Sequence, residues 1–175
     1  MNASEAFIAQ SRTLLTESYL PRIEKAVESL SAENVWWRAN PESNSIGNLL
    51  LHLNGNVRQW IVAGVGGEKD IRQRKQEFET QTGLAPSELL WQLRTTVEAA
   101  ERILAELDPG TLLEPRRIQS YDVTVMRAIY TVVEHFSMHT GQIILLAKMF
   151  KGDLGLYDLS GGEPRPTWHR GVAGH

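Results

Sequence analysis

The sequence of 175 residues predicts an all-α fold: an antiparallel four-helix bundle with an extended C-terminal arm. Apolar residues recur at helical spacing in four segments, near 3–30, 45–63, 86–107 and 124–150. Each segment is bounded by cap or stop signals, and no two stretches alternate in a way that suggests paired strands. A chain of this length buries roughly 70% of its unfolded surface, enough for one sizeable core. Residues 1–151 are therefore expected to form the bundle, with 152–175 as an arm of the same domain.

The first helix opens with Asn2 and Glu5 in capping-box spacing, and Phe7, Ile8, Leu14, Leu15, Tyr19 and Leu20 keep its period. Pro21 lies inside it and should kink or split it, because proline lacks the donor for the preceding turn and clashes with it. A loop from Asn40 to Asn44 leads to Ser45 as N-cap of the second helix, whose stripe is Ile46, Leu50, Leu53, Val57 and Ile61. The third begins at Pro86, well placed at a first helical position, and runs through Leu89, Leu93, Val97, Ala100 and Leu104 to the stop Asp108-Pro109-Gly110. Residues 117–122 read as extended or loop. The fourth helix is apolar nearly all round, from Met126 and Ile129 through Phe136 to Phe150, and should be the most buried. Gly and Pro dominate the tail from Gly152, so it reads as an arm without period.

Between the second and third helices, residues 64–85 exceed the roughly 2–8 residues usual in bundle connections; such segments are often lids or crossovers. This one carries Arg72, Arg74 and Lys75. Trp36, Trp37, Trp60 and Trp91 are expected in interhelical packing, and Gly141 is expected to allow close helix approach.

Eighteen Lys and Arg against 21 Asp and Glu leave a net charge of −3, so no basic surplus exists to displace counterions from nucleic acid. Mean hydropathy is −0.27, and the longest apolar run is far short of the roughly 18 residues that cross a bilayer. No membrane role is expected. The N-terminus has no basic and apolar leader pattern, which makes the cytoplasm the expected location. There are no cysteines, which removes disulfides, thiolate ligands and a cysteine nucleophile together.

His135 and His139 stand at i and i+4 on the fourth helix, one turn apart on one face, where two imidazoles can converge on one ion. Glu134 precedes the pair instead of lying inside a His-Glu-x-x-His motif, so the zincin protease pattern is absent. Alone, such a pair fits packed or surface histidines as well as a metal site. His52, however, shares its face of the second helix with Asn48, Gly55, Asn56 and Gln59, a polar row that is either surface or the lining of an interior site.

Two stretches resemble the DinB-like (DinB/YfiT) four-helix-bundle metalloproteins: Ser45-Ile46-Gly47-Asn48-Leu49-Leu50-Leu51-His52-Leu53, and the run from Ala128 through Glu134-His135-Phe136-Ser137-Met138-His139 to Ile143. The similarity extends to Trp36-Trp37 and the Arg72-x-Arg74-x-x-Glu77-Phe78 segment, and it stops near residue 152. It implies a three-histidine metal site at His52, His135 and His139. It also implies a homodimer, and an activity that varies among relatives, some of which transfer bacillithiol, mycothiol or similar thiols. The expected function is thus metal-dependent transfer of a low-molecular-weight thiol to a small electrophile. A metal-dependent hydrolase and a non-catalytic metal or ligand-binding bundle are the alternatives. Three neutral imidazoles leave a divalent ion its charge and an open position. Imidazole suits zinc, nickel, copper and iron alike, with zinc or nickel expected here. Arg72 and Arg74 are the candidates to anchor an anionic cofactor. Glu134 points about 100° from His135 around the helix, so no carboxylate is assigned behind the ligands and no general base is named. His169 and His175, in the tail, are expected to be exposed and outside the site.

Overall fold

The structure, a computed structural model, describes residues 1–168. Four long helical rods pack around one core, as the apolar periods predict. The first rod runs α1 (Ala3–Thr13), a π-helical stretch (Leu14–Tyr19) and α2 (Leu20–Val27) without a break. Asn2 forms the predicted capping box with Glu5. Pro21 does not split the rod. It follows directly on the π-helical turn, where the Leu20 amide bonds to Leu15, so the wider turn sits where proline withholds its donor.

A short α3 (Ala32–Trp36) leads to α4 (Ile46–Val57), capped by Ser45 in a capping box with Asn48 and extended by a second π-helical stretch (Arg58–Ala63). Residues 64–85 are not an open loop: they contain α5 (Arg74–Glu79), which packs on α4. The third rod is α6 (Pro86–Glu106), with Pro86 at its start, and the fourth is α7 (Val125–Lys151), capped by Thr124. α4 packs against both α6 and α7, while α2 lies along α7. Leu53, Leu93, Val132 and Phe136 meet in the interior, each fully buried. No helix among the described residues is long and apolar enough to cross a membrane.

Strand pairs do occur, against expectation. Residues 117–122 belong to an antiparallel hairpin of β1 (Pro115–Ile118) and β2 (Tyr121–Thr124). Each strand is only four residues long, too short to present an alternating pattern, and Gln119 at the turn has φ +56° without being glycine. The arm likewise holds a two-residue pair, β3 (Tyr157–Asp158) with β4 (Arg165–Pro166), and then buries Trp168 under Arg22 of α2.

Two smaller expectations also change. Trp60 is buried and Trp36 packs over Gly47, but Trp91 is 66% exposed and Trp37 is also exposed, edge-on to Phe150. Gly141 lies on an open face, with nothing close to the position a Cβ would occupy, so it serves no helix approach among the described residues.

Candidate metal centre

α4 and α7 bring His52, His135 and His139 together. His52 and His139 are buried and His135 is half-buried. The Nε2 atom of His135 lies 3.0 Å from that of His52 and 3.1 Å from that of His139. Two nitrogens each about 2.0–2.1 Å from a tetrahedral ion stand roughly 3.3 Å apart, close to the two His135 distances, and the ligand atoms of all three histidines lie within 4.8 Å of one another. The rings meet nearly edge-on, with interplanar angles of 66–86°.

Hydrogen bonds behind the rings set which nitrogen faces inward. His52 Nδ1 is 2.8 Å from Glu77 Oε2, and His139 Nδ1 is 2.6 Å from Gln142 Oε1. Both partners are oxygens that accept, so each ring donates from Nδ1 and keeps its Nε2 lone pair for the shared point. His135 Nδ1 is buried and has no hydrogen-bond partner among the described residues. Burial pushes the His135 imidazolium down from 6.5 to about 3, helped by repulsion from His139, His52, Arg72 and Arg74 in turn. Burial also lowers His139, against the hydrogen bond to Gln142. Neutral, buried imidazoles that present lone pairs to one point are what a divalent ion requires. The residues fit the group.

Glu77 is the site residue that the sequence reading did not assign. Its carboxylate is buried and accepts from Arg72 Nε at 2.7 Å, Arg72 Nη2 at 2.8 Å and His52. Burial raises its pKa, but hydrogen bonds from Arg72 and His52 and their charge outweigh it and hold the carboxyl below its ordinary value. The one available signal was the Arg-x-Arg-x-x-Glu-Phe pattern, which does not say which helix it will face. Arg72, expected to hold an anionic cofactor, has a side chain only 4% exposed and is bound to Glu77 and Gln59. Arg74 is exposed and lies over the Phe78 ring, 5.0 Å from its centroid, while Phe78 in turn packs on His52.

Three members of the polar row on this rod, Asn48, Gly55 and Gln59, face the 70–80 segment. Asn48 donates to the carbonyls of Glu77 and Thr80, Gln59 binds Arg72 and Asp70, and a Cβ on Gly55 would collide with the Glu77 carboxylate. Glu134 is exposed, as its position on the helix implied. His169 and His175 lie outside the described residues.

Comparison with known proteins settles the family at this point. Residues 2–155 match the family described as "Protein of unknown function (DUF1572)". The chain belongs to the DUF1572 family. The match ends at residue 155, four residues into the C-terminal arm. Among solved structures, the DUF1572 chain is similar to a DinB-like protein from Bacillus cereus, with 19% identity, 81% of this chain and 89% of that one covered, and a TM-score of 0.64. A protein from Enterococcus faecalis has 14% identity, 87% and 99% coverage and a TM-score of 0.68. A DinB-like protein from Bacillus subtilis has 17% identity, 81% and 92% coverage and a TM-score of 0.61. These likenesses show the fold, which is DinB-like. No curated protein matches the DUF1572 chain in sequence.

Proposed function

We propose that the protein is a metal-dependent enzyme that joins a low-molecular-weight thiol to a small electrophile. The observation that carries the reading is the cluster of His52, His135 and His139, whose ligand atoms all lie within 4.8 Å of one another, in a chain without cysteine. His52, His135 and His139 would hold one divalent ion, zinc or nickel. When bound, such an ion keeps its full charge on neutral ligands, so it can lower the pKa of a joining thiol or water and polarise an electrophile. In thiol transfer to an epoxide the thiol gives up its proton, the thiolate sulfur forms a bond to carbon as the carbon–oxygen bond breaks with its electron pair going to oxygen, and the resulting alkoxide takes a proton from water. The thiol comes from outside the chain.

The protein's own groups divide into ligands and supports. Glu77 already accepts from Arg72 and His52 through its two oxygens, so it is not a free general base. Arg72 is committed to Glu77, which leaves exposed Arg74, beside Phe78 and the His52 ring, as the better candidate to meet an anionic cofactor.

The test is thiol consumption by zinc-loaded and nickel-loaded protein, with bacillithiol, mycothiol or glutathione and an electrophile such as an epoxide. Turnover is expected to need the ion, to vanish in His52→Ala and to weaken in Arg74→Ala. Ester or amide cleavage without any thiol would establish the hydrolase instead. Loss of thermal stability on removing the ion, with no turnover of either kind, would establish a binding bundle.

A homodimer belongs to the same proposal. Tyr130, Met138, Leu145 and Met149 form an exposed stripe along α7, with Gly141 at its middle. Glu134 and Lys148 each lie two turns from Gly141 on that exposed side. An antiparallel, two-fold pairing of α7 centred on Gly141 would set each Glu134 against the opposite Lys148, the self-complementarity that an isologous contact needs.

A further inference from the structure

We propose that Glu77 is a positioning residue of the metal centre. Anchored by Arg72, its carboxylate holds His52 in the tautomer that turns a bare Nε2 toward the ion, which makes the 70–80 segment a working part of the site. The inference rests on the metal reading above and adds a group that acts through a ligand.

The proton of neutral His52 can sit on either ring nitrogen, and its neighbours decide which. Nδ1 has two neighbours: Glu77 Oε2 at 2.8 Å and Arg72 Nη2 at 3.1 Å. A carboxylate oxygen can only accept and a guanidinium can only donate, so the two make opposite demands on one nitrogen. With Glu77 in place, Nδ1 carries the proton, because a bare Nδ1 would set its lone pair against a carboxylate oxygen at hydrogen-bond distance. Without Glu77, Arg72 would be left donating to a bare Nδ1, and the proton would move to Nε2, where it blocks the ligand lone pair. Glu77 therefore decides whether His52 can be a ligand.

The surroundings are arranged to keep that carboxylate in place. Arg72 grips both of its oxygens. Arg72 Nη1 donates in turn to Gln59 Oε1, which also accepts from Gln119 at the strained hairpin turn. At the far end of α5, Asn48 binds the carbonyls of Glu77 and Thr80, and Arg38 binds those of Asn48's side chain and Phe78. Gly55 supplies the space: any side chain there would strike Glu77 and Arg72. Arg72 and His52 thus bond the carboxylate directly, while Asn48, Gln59 and Gln119 hold the backbone and the arginine behind it. His139 has only a neutral partner, Gln142, and His135 Nδ1 has none among the described residues, so His52 is the ligand held by charge.

The experiment measures Zn²⁺ affinity by competition with a chromophoric chelator, together with the His52 tautomer in metal-free protein by ¹⁵N chemical shift. Variants are Glu77→Gln, which keeps volume, and Gly55→Ala, which displaces the carboxylate without altering a charge. Glu79→Gln, at an exposed pair with Lys75, is the control. Both variants are expected to bind Zn²⁺ about 10–100-fold more weakly, with His52 shifted from the Nδ1–H toward the Nε2–H form and far-UV circular dichroism unchanged; Glu79→Gln should match the wild type. Wild-type affinity and tautomer in folded Glu77→Gln, or in Gly55→Ala should the former not fold, would overturn the assignment. If the wild type takes up no stoichiometric Zn²⁺, the metal reading falls by itself. The tautomer comparison then decides on Glu77 alone, an unchanged tautomer overturning it and a shifted one supporting it.

Discussion

His135 is the residue on which the proposed centre is most exposed to test, since its Nε2 lies within about hydrogen-bond length of both other histidines. His135→Ala should abolish stoichiometric binding of a divalent ion, measured by elemental analysis after dialysis, while helical content stays at the wild-type level. Acid should act through the same residue. A histidine whose folded pKa is depressed contributes stability that is complete above its unfolded value, here 6.5, and is lost as pH falls toward the folded value, here about 3. His139 is shifted in the same direction. The melting temperature of the metal-free protein should therefore fall steadily between pH 7 and pH 4, and His135→Ala should flatten that slope. A melting temperature that rises on acidification would contradict the burial of neutral imidazoles.

At the scale of elements, α7 supplies two of the three clustered histidines and also the centre of the core, so core packing and the histidine cluster are carried by adjacent faces of one helix. Phe136, between the two histidines in sequence, is fully buried and stacks on Tyr19 of the first rod, with ring centroids 6.1 Å apart. Phe136→Ala should cost about 3–5 kcal/mol through lost burial and the cavity it leaves. In a chain of this size that is a fall of roughly 6–20 °C in melting temperature, measurable by calorimetry. At the start of α4, buried Ser45 caps the helix and also donates to Asn48, which holds the 70–80 segment. Ser45→Ala is expected to lower stability by about 1 kcal/mol, as for other helix caps, and to weaken metal uptake slightly, because the loss is passed to the segment that carries Glu77.

For the whole molecule, an ion shared by α4 and α7 would tie two rods whose contact otherwise depends on apolar packing. Saturating metal at about 100 times its dissociation constant should add about 2.7 kcal/mol to stability by mass action, seen as an upward shift of the melting temperature that chelator reverses. Sedimentation should find a weak dimer, and Leu145→Glu on the exposed face of α7 should shift it to monomer without altering metal uptake. A wild-type monomer at micromolar concentration would count against the dimer and leave the metal centre untouched.

The four rods and the starts of three of them were legible in the sequence, because helical period, caps and proline positions are local properties that one segment carries alone. The capping box at Asn2, the cap at Ser45 and the start at Pro86 are of this kind, and all three stand in the structure. The π-helical turn before Pro21 and the four-residue hairpin strands were not legible, since neither leaves a period long enough to read. His52, His135 and His139 could be named from resemblance and from the spacing of the last two. Glu77 could not, because nothing in its own segment says that it will lie against His52. That contact exists because Gly55 leaves a gap on α4, Asn48 and Gln59 hold the segment across it, and Arg72 neutralises the buried charge. The helices and their apolar stripes were thus determined by the sequence of each segment in isolation. Which nitrogen of His52 is bare was decided only by the tertiary structure, because a proton's position depends on partners that lie 20 and 25 residues along the chain and meet only when it folds.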